Sequence, residues 1–259
     1  MKTAKYVGKA LVVLSGGQDS TTCLYIAKEE FEEVHAVTFD YGQRHRREID
    51  AAQIIAGMAG VASWSLISIP AVLRSVSPLV SDAKLETYSN FKEMSATIGD
   101  RVELTFVPMR NALFLTIAAN FARSINCRDL YTGVCEADNA NYPDCRASFI
   151  SAQEWAIQEA LADESFEIHT PLIDTTKAES IRLAKTLPGC MDALAYSHTS
   201  YSGEYPPVTQ DHSTVLRAQG FLEAGVPDPL IVRAWREGRM LLPTTKNYFD
   251  LHSAAGTFL

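Results

Sequence analysis

Ala10-Leu-Val-Val-Leu14 runs without a break into Ser15-Gly-Gly-Gln-Asp-Ser20, and the reading of that junction decides the fold. A continuous apolar run of this length suits a strand buried on both faces, as inside a parallel sheet. A helical pattern follows from about Ser20 to Phe31, with Cys23, Leu24, Ile26 and Ala27 as its apolar side. A strand that passes through two glycines into a helix gathers free backbone N–H groups and the positive end of the helix dipole, which attracts an anion. Gly16 and Gly17 remove side chains so that the backbone can wrap phosphate oxygens, Ser15 and Ser20 offer hydroxyl donors, and Asp19 can hold Mg²⁺ against those oxygens. The Gly-Lys-Ser/Thr ending of a Walker A loop is missing. The blander reading is a strand-to-helix turn with glycine for geometry and serine for capping.

Outward from the junction the two hydrophobic periods keep alternating. Val34 to Phe39 reads as a strand, Arg46 to Met58 as a helix, and Trp64 to Ile69 as a strand that stops at Pro70. Asn111 to Arg123 reads as a long apolar helix and Leu130 to Val134 as another strand. This alternation predicts an α/β, Rossmann-like fold: a mainly parallel sheet flanked by helices, with ligands at the carboxyl ends of the strands. Past Pro143 the pattern turns mostly helical, at about 146–162, 176–186 and 211–224, with Thr176 and Glu179 forming a capping box for the middle helix. Residues 71–100, rich in Ser and Thr, predict an insertion or mobile flap, and 197–214 predicts a loop. The division expected is a nucleotide-binding core over 1–190 and a helical and loop region over 191–259.

Composition narrows the classes. The 259 residues carry 23 Lys plus Arg against 31 Asp plus Glu, a net charge of −8, which argues against a broad nucleic-acid surface. The 5 cysteines are odd in number and widely spaced, so a reducing, cytoplasmic setting is expected over a disulfide framework. No stretch approaches a membrane span, and the apolar run at Ala10 is too short for a signal-peptide core.

The loop resembles the pyrophosphate loop of the N-type ATP pyrophosphatases, and further stretches narrow the likeness. Thr38-Phe-Asp-Tyr-Gly-Gln-Arg-His45, Val107-Pro-Met-Arg-Asn111, Gly133-Val-Cys-Glu-Ala-Asp138, Tyr142-Pro-Asp-Cys-Arg146 and His169-Thr-Pro-Leu172 stand in order. Together they are similar to the 7-cyano-7-deazaguanine synthase family, from about Tyr6 to Pro229. The resemblance implies ATP and Mg²⁺ as cofactors and adenylation of 7-carboxy-7-deazaguanine with loss of pyrophosphate. Ammonia then attacks to give the amide, and a second activation gives the nitrile. It also implies a homodimer and no nucleic acid or membrane partner.

Carried over residue by residue, the implied nucleotide contacts are Ser15, Gly16, Gly17, Gln18, Ser20, Phe39, Arg44, His45 and Gly133, with Asp19 holding Mg²⁺. Lys177 would neutralise charge on the α-phosphate, its alternative being a solvated first-turn lysine. Arg110 would grip a phosphate or carboxylate, its alternative a surface ion pair. Arg44 and His45 read equally as a solvated helix start. Tyr41, Asp138, Tyr142, Asp144 and Arg146 are the substrate candidates, because a deazaguanine edge presents N–H donors that carboxylates accept; Asp138 and Asp144 read equally as loop caps. Cys145 reads as a packed or substrate-adjacent thiol.

One departure stands out. The family carries four cysteines before its last helix that bind a structural zinc, whereas here the first position falls at Ser200 and the other three near Val208, Asp211 and Thr214, so no zinc is expected. His198, Asp211 and His212 would make a mixed site only on paper. The 197–214 loop then needs another source of order, such as Tyr201, Tyr205, Pro206 and Pro207, or a partner. A reshaped mouth and the tail from Lys246 to Leu259 would suit a protein amine as acceptor, as in relatives of this family found with antiphage defence genes. A silent nucleotide-binding scaffold is the rival from another class.

Overall fold

The computed structural model describes residues 6–70, 72–136 and 141–254. β1 (Tyr6–Val13) leads through the glycine loop into α1 (Gln18–Glu30), then β2 (Phe31–Asp40), α2 (Arg47–Ala59) and β3 (Ser63–Ser68). After α3 (Phe91–Ile98) come α4 (Arg110–Ser124), β4 (Asp129–Tyr131), α5 (Ala147–Leu161) and β5 (Glu167–His169). The chain closes with α6 (Lys177–Thr186), α7 (Cys190–Leu194), α8 (His212–Ala224), α9 (Pro229–Arg236) and α10 (Phe249–Ala254).

The five strands order as β3-β2-β1-β4-β5 and every pair is parallel. β1 pairs with β2 through Ala10↔Val34 and Val12↔Ala36, and with β4 through Ala10↔Asp129 and Val12↔Tyr131. The chain therefore builds outward from β1, returns, and resumes at β4 on its other side. The gap between the carboxyl ends of β1 and β4 is the switch point where such sheets bind ligands. The α/β Rossmann-like expectation matches this architecture.

Alternation along β1 explains the two layers. Ala10, Val12 and Leu14 enter the core shared with α1, α2 and α7, while Leu11 joins Val37, Leu115, Ile157 and Phe166 on the face covered by α4 and α5. The apolar strand is thus buried from both sides, as its composition demands. The capping box is present at α6: Thr176 Oγ1 accepts from the Glu179 N–H at 3.2 Å, and the Glu179 carboxylate accepts from the Thr176 N–H at 2.8 Å.

Of the two readings of residues 71–100, an insertion or a mobile flap, the described part from residue 72 is an insertion packed on the rest of the chain. Asn90 caps α3 by accepting the Glu93 N–H at 3.0 Å, and Tyr88, Met94 and Ile98 pack into a small core with Val215 and Leu216 of α8. The insertion is docked rather than loose because its helix has an apolar face that α8 covers. Among the described residues no helix is long and apolar enough to cross a membrane.

Candidate functional site

Backbone sterics shape the loop after β1. Gly16 has φ +85°, and a Cβ there would lie 2.2 Å from the Glu48 carbonyl oxygen and 2.9 Å from the Ala52 nitrogen, so only glycine lets α2 approach. Gly17 caps α1 without a side-chain bond, leaving the first amides of the helix facing outward. The Ser15 and Ser20 hydroxyls share a hydrogen bond of 2.9 Å, and the Ser15 N–H donates to Ser20 Oγ at 3.2 Å, which fixes the turn. From β4, Gly133 abuts the same loop: a Cβ there would sit 2.7 Å from the Ser20 nitrogen.

The loop forms one end of a cavity of ≈ 420 Å³ at the switch point, a size suited to a small-molecule ligand. Asp19 and Lys177 meet there, with Lys177 Nζ 2.8 Å from Asp19 Oδ2 and their side chains 24% and 10% exposed. Phe39 stacks on Phe114 at 4.4 Å between ring centres, and Tyr41 meets the same ring at 5.3 Å. Arg110 opens α4 among Tyr41, Tyr142 and Tyr201. Burial opposes its charge, but those phenols and Asp144 outweigh that and hold its pKa above the usual value. Burial also raises the Tyr142 phenol, whose Oη is hydrogen-bonded to Thr105 Oγ1.

The sequence-derived candidates divide. Ser15, Gly17, Gln18, Asp19 and Ser20 line the cavity from the loop; Phe39, Tyr41, Arg110, Gly133, Tyr142, Arg146 and Lys177 line it from other elements. Gly16 lies behind it, with its carbonyl accepting the His198 N–H at 2.9 Å. Arg44 is placed elsewhere: its N–H donates to Leu79 O at 3.1 Å and its guanidinium to Ala83 O at 3.4 Å, pinning the insertion. His45 packs edge-on against His198 at 4.8 Å instead of reaching the cavity wall. Asp144 is buried and absent from that wall; its Oδ2 accepts the Asn111 N–H at 3.1 Å, so it caps α4 from 33 residues away. Burial raises its carboxyl pKa, and its Oδ1 has no partner. Cys145 lines the cavity, with Asn111 Nδ2 3.4 Å from its sulfur. Asp138 lies outside the described residues.

Sequence reasoning missed Glu48. It follows Arg47 at the start of α2 and stands on the same helix face as Ala51, Ala52 and Ile55, all buried. A carboxylate among small apolar neighbours is the signal that was available. Burial pushes its carboxyl up to about 7, opposed by the charge of Arg110.

The segment 197–214 is ordered chiefly by Asp211, which is 1% exposed. Its Oδ2 accepts the Tyr201 N–H at 2.8 Å and the Ser200 hydroxyl at 3.3 Å. Its Oδ1 accepts the Thr214 N–H at 2.9 Å and the Ser213 hydroxyl at 2.8 Å. This donor set does not fit zinc: Val208 offers no ligand, Ser200 and Thr214 are neutral hydroxyls, and the one carboxylate is already surrounded by donors. Of the mixed set, His198 Nε2 donates to Ser200 O at 2.7 Å. Tyr205 contributes as expected, with Arg233 over its ring at 4.5 Å. Arg217 ties the segment down, donating to Ser197 Oγ and Thr199 Oγ1 at 2.8 Å each while gripping Asp228 with two bonds of 2.7 and 2.8 Å.

Comparison with known proteins bears on this geometry. Residues 9–225 match the family model described as Queuosine biosynthesis protein QueC. A 7-cyano-7-deazaguanine synthase of Gloeobacter violaceus is 46% identical over 226 residues, covering 86% of this chain and 95% of that protein. Proteins of the same name from Chromobacterium violaceum and Laribacter hongkongensis are each 47% identical, covering 90% and 86% of this chain and 97% and 94% of theirs.

Proposed function

This chain belongs to the QueC family of queuosine biosynthesis proteins, and on that premise we propose that it performs the reaction its relatives are named for. An ATP-dependent enzyme of this kind adenylates 7-carboxy-7-deazaguanine, releases pyrophosphate, and passes the activated carbon to ammonia. The amide so formed is activated a second time and loses its oxygen to become the nitrile. The observation that carries the reading is the meeting of a glycine phosphate loop, Asp19, Lys177 and Arg110 in one cavity at the β1/β4 switch point.

A carboxylate is a poor electrophile until its oxygen becomes a leaving group. The α1 amides and the Ser15 and Ser20 hydroxyls suit the β- and γ-phosphates of ATP. Asp19 and those hydroxyls are hard oxygen donors of the kind Mg²⁺ takes, so they would hold the ion that neutralises the departing pyrophosphate. Lys177, a bond away from Asp19, is placed for the charge that grows on the α-phosphate as the substrate oxygen attacks. Arg110, fixed among phenols, presents a rigid cation suited to the substrate carboxylate. Phe39, Phe114 and Tyr41 supply flat apolar surface for rings. Relatives that share this reaction name span nearly their whole length on this chain, and neither conjugation to a protein amine nor a silent scaffold gains an observation in its favour.

The test is pyrophosphate release from Mg-ATP with ammonium, with and without 7-carboxy-7-deazaguanine, and mass spectrometry of the products. Carboxylate-dependent release ending in the nitrile is the expected result. No release, or a deazaguanine adduct on protein, refutes the reading.

A further inference from the structure

Turning a carboxylate and ammonia into a nitrile is, for the nitrogen, a sequence of proton losses. Ammonium at neutral pH has no lone pair, and the nitrogen that attacks must still shed every proton before the triple bond is complete. The cavity therefore needs a proton acceptor near the reacting carbon. Among the described residues three carboxylates line it: Asp19, Glu48 and Glu136. Asp19 is held by Lys177 at 2.8 Å, and Glu136 Oε2 accepts the Ala147 N–H of α5 at 2.9 Å. Glu48 receives no hydrogen bond from a described residue; its only charged influence is Arg110.

Position supports the same residue. Glu48 itself lines the cavity, and its backbone carbonyl closes against Gly16 of the phosphate loop, where a Cβ would lie 2.2 Å away. Tyr41, just after β2, and Arg110, at the start of α4, line the same cavity and interact electrostatically with it. Two imidazoles also line the cavity, His198 and His212; His198 spends Nε2 on Ser200 O and is pushed down to about 4 by burial, which makes it a weak base.

Building on the synthase reading, we propose that Glu48 is the proton acceptor for the nitrogen nucleophile. In the first half, the ammonia lone pair forms the C–N bond at the acyl-adenylate carbon. The C–O bond to AMP breaks with its electron pair on the phosphate oxygen, and one N–H proton passes to the Glu48 carboxylate. In the second half, the amide oxygen attacks the α-phosphorus of another ATP, pyrophosphate leaves, and a second N–H proton goes to Glu48. The last N–H proton follows as the C–O bond to AMP breaks and the C≡N bond closes. Between steps Glu48 returns its proton to water through the open cavity. A carboxyl held near 7 by burial is matched to this task at neutral pH.

The experiment compares the whole wild-type protein with Glu48→Gln and Glu48→Asp, measuring nitrile formation, thermal melting and pH dependence. Glu48→Gln should fold normally and lose roughly 10²–10⁴-fold in kcat, with KM for ATP within about threefold. The acidic limb of the wild-type kcat profile should vanish in Glu48→Gln, and Glu48→Asp should recover part of both rate and limb. A kcat for Glu48→Gln within about threefold of wild type overturns the proposal, as does an unchanged pH limb. If the wild-type protein makes no nitrile, the synthase reading falls and takes this role with it; if it does and Glu48→Gln matches it, only the role of Glu48 falls.

Discussion

Replacing Asp211 by alanine tests what holds the segment over the phosphate loop. The substitution strips acceptors from two backbone N–H groups, those of Tyr201 at 2.8 Å and Thr214 at 2.9 Å, and from the Ser200 and Ser213 hydroxyls. Hydroxyls can rotate to new partners, whereas the two amides are fixed by the chain. Each orphaned amide costs about 1–3 kcal/mol, and one of them is the α8 cap, whose loss alone costs about 1 kcal/mol. Partial relaxation of an irregular segment brings the total to about 3 kcal/mol. In a chain of this size that corresponds to a fall in Tm of about 6–12 °C. Because the His198 N–H holds Gly16 O at 2.9 Å, the same variant should also weaken ATP binding. Differential scanning fluorimetry with and without a zinc chelator, followed by ATP titration, measures both. Asp211→Asn should fare little better, since its amide NH₂ would face donors. A Tm within about 2 °C of wild type would show that the carboxylate holds nothing. A chelator effect on wild type as large as the substitution would show that a metal ion does the holding.

Three further outcomes follow from the geometry. Gly133→Ala should lower ATP affinity by more than about tenfold, because its Cβ would lie 2.7 Å from the Ser20 nitrogen and 2.9 Å from the Asp19 carbonyl carbon; unchanged affinity in isothermal titration contradicts that contact. Stability should fall as pH drops from 6.5 towards 4: burial lowers His198 to about 4 and also lowers His45, so the unfolded chain takes up protons that the folded chain refuses. Stability present above the unfolded pKa is thus lost through the folded one, by roughly 3 kcal/mol for His198; urea titrations across that range should flatten for His198→Gln, and an unaltered slope counts against it. Lys177→Met should cut carboxylate-dependent pyrophosphate release by about 10²–10³-fold while the protein still binds ATP; near-normal kcat removes Lys177 from the chemistry.

Much of this architecture is legible in the chain because local signals are strong there. A strand buried on both faces must be apolar throughout, and a loop position where a Cβ would lie 2.2 Å from the Glu48 carbonyl of α2 must be glycine, so the junction at Leu14 to Ser20 reads directly. β5, only three residues from Glu167 to His169, is too short to show a period. The helices α3 and α9 carry readable caps at Asn90 and Asp228, yet each lasts only eight residues, and their packing partners lie far along the chain. Asp144 shows the opposite failure. Its motif places it beside substrate candidates, but the amide it serves belongs to Asn111, a pairing no spacing rule reports.

Glu48 and Asp211 separate two ways in which a carboxylate set into the fold can be read. Asp211 stands with Ser200, Val208 and Thr214 where the resemblance implies zinc cysteines, and what can order such a segment without thiolates follows from polarity. A zinc ion gathers lone pairs, so its ligands must be acceptors. Once Ser200 and Thr214 stand in their place, those positions supply donors, and the hub that gathers donors must be an anion. Asp211 meets that condition with both oxygens engaged. Glu48, half-buried on the cavity wall, receives no hydrogen bond from a described residue, and a carboxyl left in that state is open to a ligand or a proton. A carboxylate whose two oxygens both meet donors is fixed in place, whereas one without donors beside a phosphate loop remains available to exchange a proton.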